Sequence, residues 1–419
     1  MKFMHIADVH LGYQQYGVGE RFNDFSRAYL SLVDRAVAEE IDFLLLAGDL
    51  FHNRSMEPLS LQVAIRGLEK LKQVGIPVLA VEGNHEKAFY RDQQSWMEFL
   101  DSMGYLKLLS PSFEEGEAVI EPYGDQRGAY VDLDQGVRVY GMKYFGASTS
   151  TAVKSFAEDL EEMDHSRVDY AILMMHAGLE GQLAYTGRLK HNDVALFREK
   201  VDYVALGHIH KPYEVDHWIY NPGSPETCSM EEVSWPERGY YLVEITPEAE
   251  QKHQAALMAA ARRKFYRFRL GVDGFKTPNE VYDAVRALIE DQQDHIADSK
   301  NPVVELRLGG ILPFSRYDLD LEYIKGLLED AWDPLIAKVK SNITPAEFEI
   351  TADRESSRSE LERNVLQELF ERDSRYREQS EGWARGAVDL KRLIQEGTSP
   401  ELIVEHVAQL QKDFMKGEN

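Results

Sequence analysis

The sequence predicts an α/β layered domain over its first 245 or so residues, followed by a small α+β module and a charged helical segment. Three observations predict this. Short apolar runs alternate with helical patterns from the start of the chain, as stacked layers of sheet and helix require. A second alternation of strand and helix patterns begins near Ala256. From about Ser357 the chain becomes rich in charge and reads as helix.

The strands expected in the first unit are Lys2–Ala7, Phe43–Ala47, Val78–Val81, Val137–Tyr140, Tyr170–Met175 and Tyr203–Leu206. Helix patterns at about Phe25–Glu40 and Leu59–Val74 have the placement of crossover helices, and Gly75 with Pro77 stops the second. In the module, Lys264–Leu270 alternates as a strand and Pro278–Asp291 reads as a helix. A strand at Val303–Leu308, a helix at Leu319–Trp332 and a strand near Leu335–Val339 complete it, without any catalytic constellation. In the tail, Leu361, Val365, Leu366, Leu369 and Phe370 share one stripe, and a polar break follows at Glu378–Glu381. A last helix opens with Ser399 as N-cap and Pro400 at its first position, presenting Leu402, Ile403, Val407 and Leu410. Two amphipathic helices there need something to cover them. The expected division is therefore 1–255, 256–345 and 346–419.

Composition narrows the class. At about 150 residues per domain, 419 residues suggest two or three domains. No apolar run approaches the roughly 18 to 20 residues of a membrane span, and MKFMHIADVH lacks the features of a signal peptide, so a cytoplasmic protein is expected. Cys228 is the only cysteine, which excludes an intramolecular disulfide and a thiolate zinc cluster, so any metal must take oxygen and nitrogen ligands. A net charge of −25 argues against a polybasic coat for nucleic acid. It argues less against a metal nuclease, where two divalent cations restore positive charge at the point where a phosphate docks.

Five segments share one grammar, an apolar strand followed at once by a metal-competent polar cluster. They are HIADVH with Asp8 and His10, LLLAGDLFH with Asp49 and His52, LAVEGNHE with Asn84 and His85, ILMMH with His176, and VALGHIH with His208 and His210. Ligands of open α/β sheets bind outside the carboxyl ends of the strands, so five such ends converge on one crevice. Asp8 and His10, like His208 and His210, are two apart, and in an extended segment such a pair faces one way. Gly48, Gly83 and Gly207 precede ligands and let the backbone turn.

Carboxylate, amide and imidazole without sulfur suit Mn²⁺ or Fe, with Zn²⁺ also admissible. Two metals about 3.5–4 Å apart can share one carboxylate, activate a bridging water and neutralise a phosphoryl group. Asp49 is the candidate bridge, with Asp8, His10 and His210 on one ion and Asn84, His176 and His208 on the other. His85 then faces the substrate as proton donor, and His52 assists from behind. An Asp or Asn after a strand is by itself usually a turn or helix cap, and a lone histidine is usually structural. Six of the 13 histidines, however, fall in these few clusters, which coincidence does not explain. His5, His165, His191, His217, His253, His295 and His406 receive no role.

The ordered set DVH, GDLFH, GNHE, a lone strand-end His and GHIH resembles the calcineurin-like metallophosphoesterase superfamily. With MKFMHIADVHLGYQQYG, GDLFHNR, GHIHKP and YNPGSPE, the first 230 or so residues resemble the SbcD-type nuclease subunits of double-strand-break repair more closely. The resemblance implies a layered β-sandwich flanked by helices, and a nuclease using two Mn²⁺ ions, 3′→5′ on duplex ends and endonucleolytic on single strands and hairpins. It further implies that the 256–345 module is a DNA-binding cap and that the terminal helices dock on the coiled coil of an SbcC-type ABC ATPase. A homodimer through Leu59–Val74 and Trp96–Leu100, and a nucleoid-associated location without a membrane, follow from the same source. Glu86 stands where the family more often has Asp, a change expected to matter little because charge is kept. The rival readings are a phosphatase or small-molecule phosphodiesterase on the same core, and a DNA-end scaffold that chiefly recruits the ATPase.

Overall fold

The computed structural model describes residues 1–88, 94–183, 189–314, 318–345, 358–372, 376–395 and 398–415. They form two compact units. The first takes in Met1–Val272, Thr277–Gly310 and Leu319–Asn342; the second takes in Asp273–Lys276, Ile311–Asp318 and Ile343–Asn419.

The heart of the first unit is a pair of six-stranded sheets. In spatial order one runs His253–Ala259, Gly239–Ile245, Lys2–Ile6, Phe43–Leu46, Val78–Ala80 and Lys107–Leu108. The other runs Tyr213–Val215, Ile219–Asn221, Tyr203–Gly207, Tyr170–His176, Val137–Met142 and Tyr130–Asp132. Pairing is parallel through the middle of both; the second sheet is antiparallel at both edges, whereas the first is antiparallel only on its Gly239–Ile245 side and keeps Lys107–Leu108 parallel at the other edge.

Alternation along each strand makes the layers. Phe3, Phe43, Leu45 and Leu79 of the first sheet pack in one core with Val139, Ile172, Met174, Tyr203 and Ala205 of the second. The residues between them, Met4, Ile6, Leu44, Leu46 and Val78, meet Tyr29, Leu32 and Val33 of helix Gly19–Ala38 and Ala64, Leu68 and Leu71 of helix Pro58–Gln73. On the far side Tyr140, Leu173, Met175 and Val204 meet Phe156 and Leu160 of helix Thr149–Glu162. Strands buried on both faces read as unbroken apolar runs. The expected layered sandwich flanked by helices is the observed fold.

Helix Pro58–Gln73 ends as its sequence requires. Gly75 adopts φ +81°, and Gly75 N–H and Ile76 N–H donate to Lys72 O and Leu71 O at 3.1 and 3.0 Å, the two bonds of a Schellman cap. His5 is a satisfied core residue, with Nδ1 3.1 Å from the Tyr203 hydroxyl and Nε2 3.0 Å from Leu206 O.

Beyond the sandwich, Phe265–Gly271, Val303–Leu312 and Ile336–Pro345 form a three-stranded sheet in that order, accompanied by helices Pro278–Ile296 and Leu321–Trp332. A buried charge cluster ties its approach to the sandwich. Arg21 donates to Gln15 Oε1, Asp24, Glu226 Oε1 and Thr227 O, while Arg263 takes Asp24 from the other side at 2.5 and 2.8 Å. Removing one partner of such a cluster strands a buried charge and costs about 3–5 kcal/mol.

Among the described residues the second unit holds three α-helices, Arg358–Arg372, Ser380–Gln395 and Pro400–Met415, where two were expected. Gly382 and Gly386 hide the middle one from a propensity reading. Packing overrides propensity there, since the rings of Phe370, Tyr376 and Trp383 meet with centroids 5.3 to 6.3 Å apart. Leu369, Ile394, Leu402, Val404 and Val407 remain exposed. The linker expected from residue 346 and its Ser357 boundary lie outside the described residues up to 357, as do the side chains of Leu361 and Leu410. Among the described residues no helix is long and apolar enough to cross a membrane.

Candidate metal centre

All five polar clusters stand at the carboxyl ends of parallel strands and open on the same edge of the sandwich. Past Ile6 and Leu46 two strands continue side by side as loops: Asp8 N–H donates to Gly48 O at 3.1 Å, His10 N–H to Asp49 O at 3.0 Å and Leu11 N–H to Leu50 O at 2.8 Å. This pairing sets Asp8 and His10 against Asp49. The means differs from the extended geometry expected, because Asp8, His10, Asp49 and His208 all have positive φ, at 54°, 53°, 54° and 86°. Left-handed turns at non-glycine residues cost energy and persist where surrounding structure imposes them.

The seven candidate ligands gather into two groups about one carboxylate. Asp49 Oδ2 lies 4.0 Å from His10 Nε2 and 3.4 Å from His176 Nε2. On the first side His10 Nε2 faces His210 Nε2 at 3.0 Å, and Asp8, His10 and Asp49 each offer an atom within 4.8 Å of the others. On the second side Asn84 Oδ1 is 3.1 Å from His176 Nε2 and 2.8 Å from His208 Nδ1. Space is tight, and a Cβ added to Gly83 would lie 1.9 Å from Asp49 Oδ1.

The donor set fits divalent cations. Burial holds His10 well below the usual histidine range and His208 at about 4, a direction that favours the neutral imidazole whose lone pair can meet a cation. Burial opposes ionisation of Asp49, yet His176, His10 and His85 around it together hold that carboxyl well below its usual range. Burial likewise opposes protonation of His176, but Asp49 beside it raises the imidazole to about 9. Opposed nitrogens and a charged carboxylate, closely spaced and buried, are the arrangement a cation organises.

His85 and His52 sit at the mouth, both half-buried. His85 N–H donates to Asp49 Oδ1 at 3.0 Å, and its Nδ1 lies 2.5 Å from the His52 carbonyl. The His52 ring stacks on Tyr13 at 3.8 Å between centroids and lies 5.2 Å from His85. Beside them a cleft of about 620 Å³ is lined by His52, Asn53, Arg54, Ser55, Glu57, Asn84 and His85.

Several residues with no part in the site assigned from the sequence stand around it. Cys228 stands with His10 and His210, each offering an atom within 4.8 Å of the others, although no motif surrounds it. Tyr144 lies 5.3 Å from the His208 ring. Glu232 accepts from His210 Nδ1 at 2.9 Å from 22 positions along the chain. Glu86, buried, accepts from Gly83, Asp49 and Phe51 N–H at 2.9, 3.1 and 3.1 Å, bracing the two loops that carry Asp49 and Asn84. Glu86→Ala leaves three buried donors bare, so a loss on the order of 3 kcal/mol in denaturant unfolding is expected. An unchanged midpoint would show that water replaces the carboxylate.

The calcineurin-like phosphoesterase family model matches residues 1–212. The DNA double-strand break repair protein Mre11 of Archaeoglobus fulgidus is 34% identical over 243 residues, 56% of this chain and 52% of that protein. The Mre11 protein of Aeropyrum pernix is 24% identical over 323 residues, 75% of each chain. Against the first of these, the chain spans about half the relative's length. A dimetal phosphatase from Danio rerio overlays at TM-score 0.38 and 12% identity, over 58% of this chain and 92% of that one, too weakly to carry an argument.

Proposed function

Because the chain belongs to the calcineurin-like phosphoesterase family, we propose that it is a Mn²⁺-dependent nuclease of double-strand-break repair, acting on DNA ends. Family membership implies a dimetal centre. The observation that carries the reading is the Asp49 carboxylate, 4.0 Å from one imidazole group and 3.4 Å from the other. Asp8, His10, Asp49 and His210 would hold one ion, and Asp49, Asn84, His176 and His208 the second. Bound there, the cations would supply Lewis-acid polarisation of a phosphodiester and activate the attacking water.

The chain's own residues do the rest. Arg54, exposed on the cleft wall, meets the incoming phosphate as a cation. His85 presents Nε2 to that cleft and delivers a proton to the departing sugar oxygen. His52 anchors His85 through its carbonyl and stacks against it, so its part is to orient. The names of the Mre11 relatives favour DNA as substrate. The 3′→5′ polarity on duplex ends and the endonuclease action on single strands and hairpins belong to the same proposal. So do the 256–345 cap as DNA-binding surface, a homodimer and a cytoplasmic, nucleoid-associated location.

The test compares a chromogenic phosphodiester with a duplex DNA end under Mn²⁺. Cleavage of the small ester with no action on DNA would sink the nuclease reading and leave the phosphodiesterase. The exposed apolar residues of the last three helices support docking on an SbcC-type ATPase with a coiled coil. Deleting residues from 357 onward should keep phosphodiester cleavage within about threefold of the parent while abolishing association with the ATPase, read by size exclusion, because a folded core retains its site. Loss of both together would contradict the assignment of the helices to partner binding.

A further inference from the structure

Among the candidate ligands in the described residues, only His210 turns its second ring nitrogen to a carboxylate. His176 Nδ1 meets Ala47 O at 2.7 Å, whereas His210 Nδ1 meets Glu232 Oε1 at 2.9 Å. That carboxylate is itself fixed. Its Oε2 accepts from Cys228 N–H at 2.9 Å and from Arg238, and Arg238 also donates to Glu232 O at 2.6 Å and Ser224 Oγ at 3.1 Å. Glu232 and Arg238 are both buried, so water cannot replace either partner. The neighbouring Glu231 points the other way and is exposed, pairing with Arg267 at 3.0 Å and Arg307 at 2.7 Å on the three-stranded sheet.

We infer that Glu232 is a positioning residue for the metal centre: its clamped carboxylate fixes the tautomer and rotation of His210, so that Nε2 is aimed at the ion shared with His10. With Nδ1–H donated to Glu232, the free lone pair of His210 is on Nε2, the atom 3.0 Å from His10 Nε2. A carboxylate behind a ligating imidazole holds its orientation and raises its basicity, and loss of such a partner weakens metal binding about 10–100-fold. The inference rests on the two-ion reading above.

The experiment is titration of the metal-free full chain with Mn²⁺ by calorimetry and electron paramagnetic resonance, for the parent, Glu232→Gln and Glu231→Gln. The parent is expected to take two ions. Glu232→Gln should bind one with parental affinity and the other at least tenfold more weakly, with an altered resonance from that site, while Glu231→Gln matches the parent. Retention of one tight ion shows that the fold survives. Should Glu232→Gln not fold, Glu232→Asp, one methylene shorter but still charged beside Arg238, carries the same expectation. Two ions bound at parental affinity by the Glu232 variant would overturn the inference and leave the proposed centre standing. Equal weakening in Glu231→Gln would overturn it by making the whole 230–234 turn responsible. A parent that takes no pair of ions would overturn the centre and the inference with it.

Discussion

Asp49→Ala should bind neither Mn²⁺ ion tightly and should lose phosphodiester cleavage by at least about 10³-fold, the equivalent of some 4 kcal/mol of transition-state stabilisation at 1.4 kcal/mol per tenfold. The expectation follows from position. Asp49 Oδ2 stands 4.0 Å from His10 Nε2 and 3.4 Å from His176 Nε2, so truncation takes charge from both groups of nitrogen ligands at once. The remaining carboxylate, Asp8, accepts His208 N–H with both oxygens at 3.0 Å and sits with His10. It cannot serve the far side. Asp49→Asn separates charge from packing, since an amide oxygen can still accept from His85 N–H; it should fold as the parent does yet bind metal poorly. Calorimetric titration with Mn²⁺ decides the matter, and two ions bound at parental strength by Asp49→Ala would remove the shared carboxylate from the account.

How much of this was legible beforehand depends on the physical range of each feature. The central strands were legible because burial on both faces leaves a continuous apolar run, as in Phe43–Leu46 and Tyr203–Gly207. The hairpin Gly239–Ile245 and His253–Ala259 was not, because its place depends on pairing Glu244 with Lys2 and Tyr241 with His5 across the length of the domain. Local residues do not encode a partner that distant. At the site, residue types after strand ends were enough to bring forward Asp8, His10, Asp49, Asn84, His176, His208 and His210, and the structure gathers all seven.

What the residues hid was the backbone that gathers them. Extended pairs would have placed Asp8 and His10 on one face by strand geometry, whereas both are in left-handed turns held by hydrogen bonds to the neighbouring loop. Asp, Asn and His are enriched in that conformation, a hint available in the sequence but too weak to use alone. Glu232 and Cys228 carried no hint, because a partner is chosen by the fold rather than by spacing. Glu86 shows the converse. Its charge alone suggested that replacing the family's more usual Asp matters little, but its reach to three backbone donors is what the structure uses.

His85→Ala should retain both Mn²⁺ ions and cut DNA about 10²–10³-fold more slowly, within the range a positioned general acid contributes. The loss should fall on kcat rather than KM, because a proton given to the leaving oxygen is needed only in the transition state. Two features keep the metal in place. The contact from residue 85 to Asp49 runs through the backbone N–H at 3.0 Å, which alanine preserves, and Nδ1 is occupied by the His52 carbonyl rather than by the seven ligands. A competing arrangement exists, since His10, His52 and His85 each offer a nitrogen within 4.8 Å of the others and could themselves hold an ion. The same variant separates the two. Loss of one ion from His85→Ala would make His85 a ligand, whereas two ions with a slow kcat leave it facing the substrate; a parental rate of cutting would deny it either part.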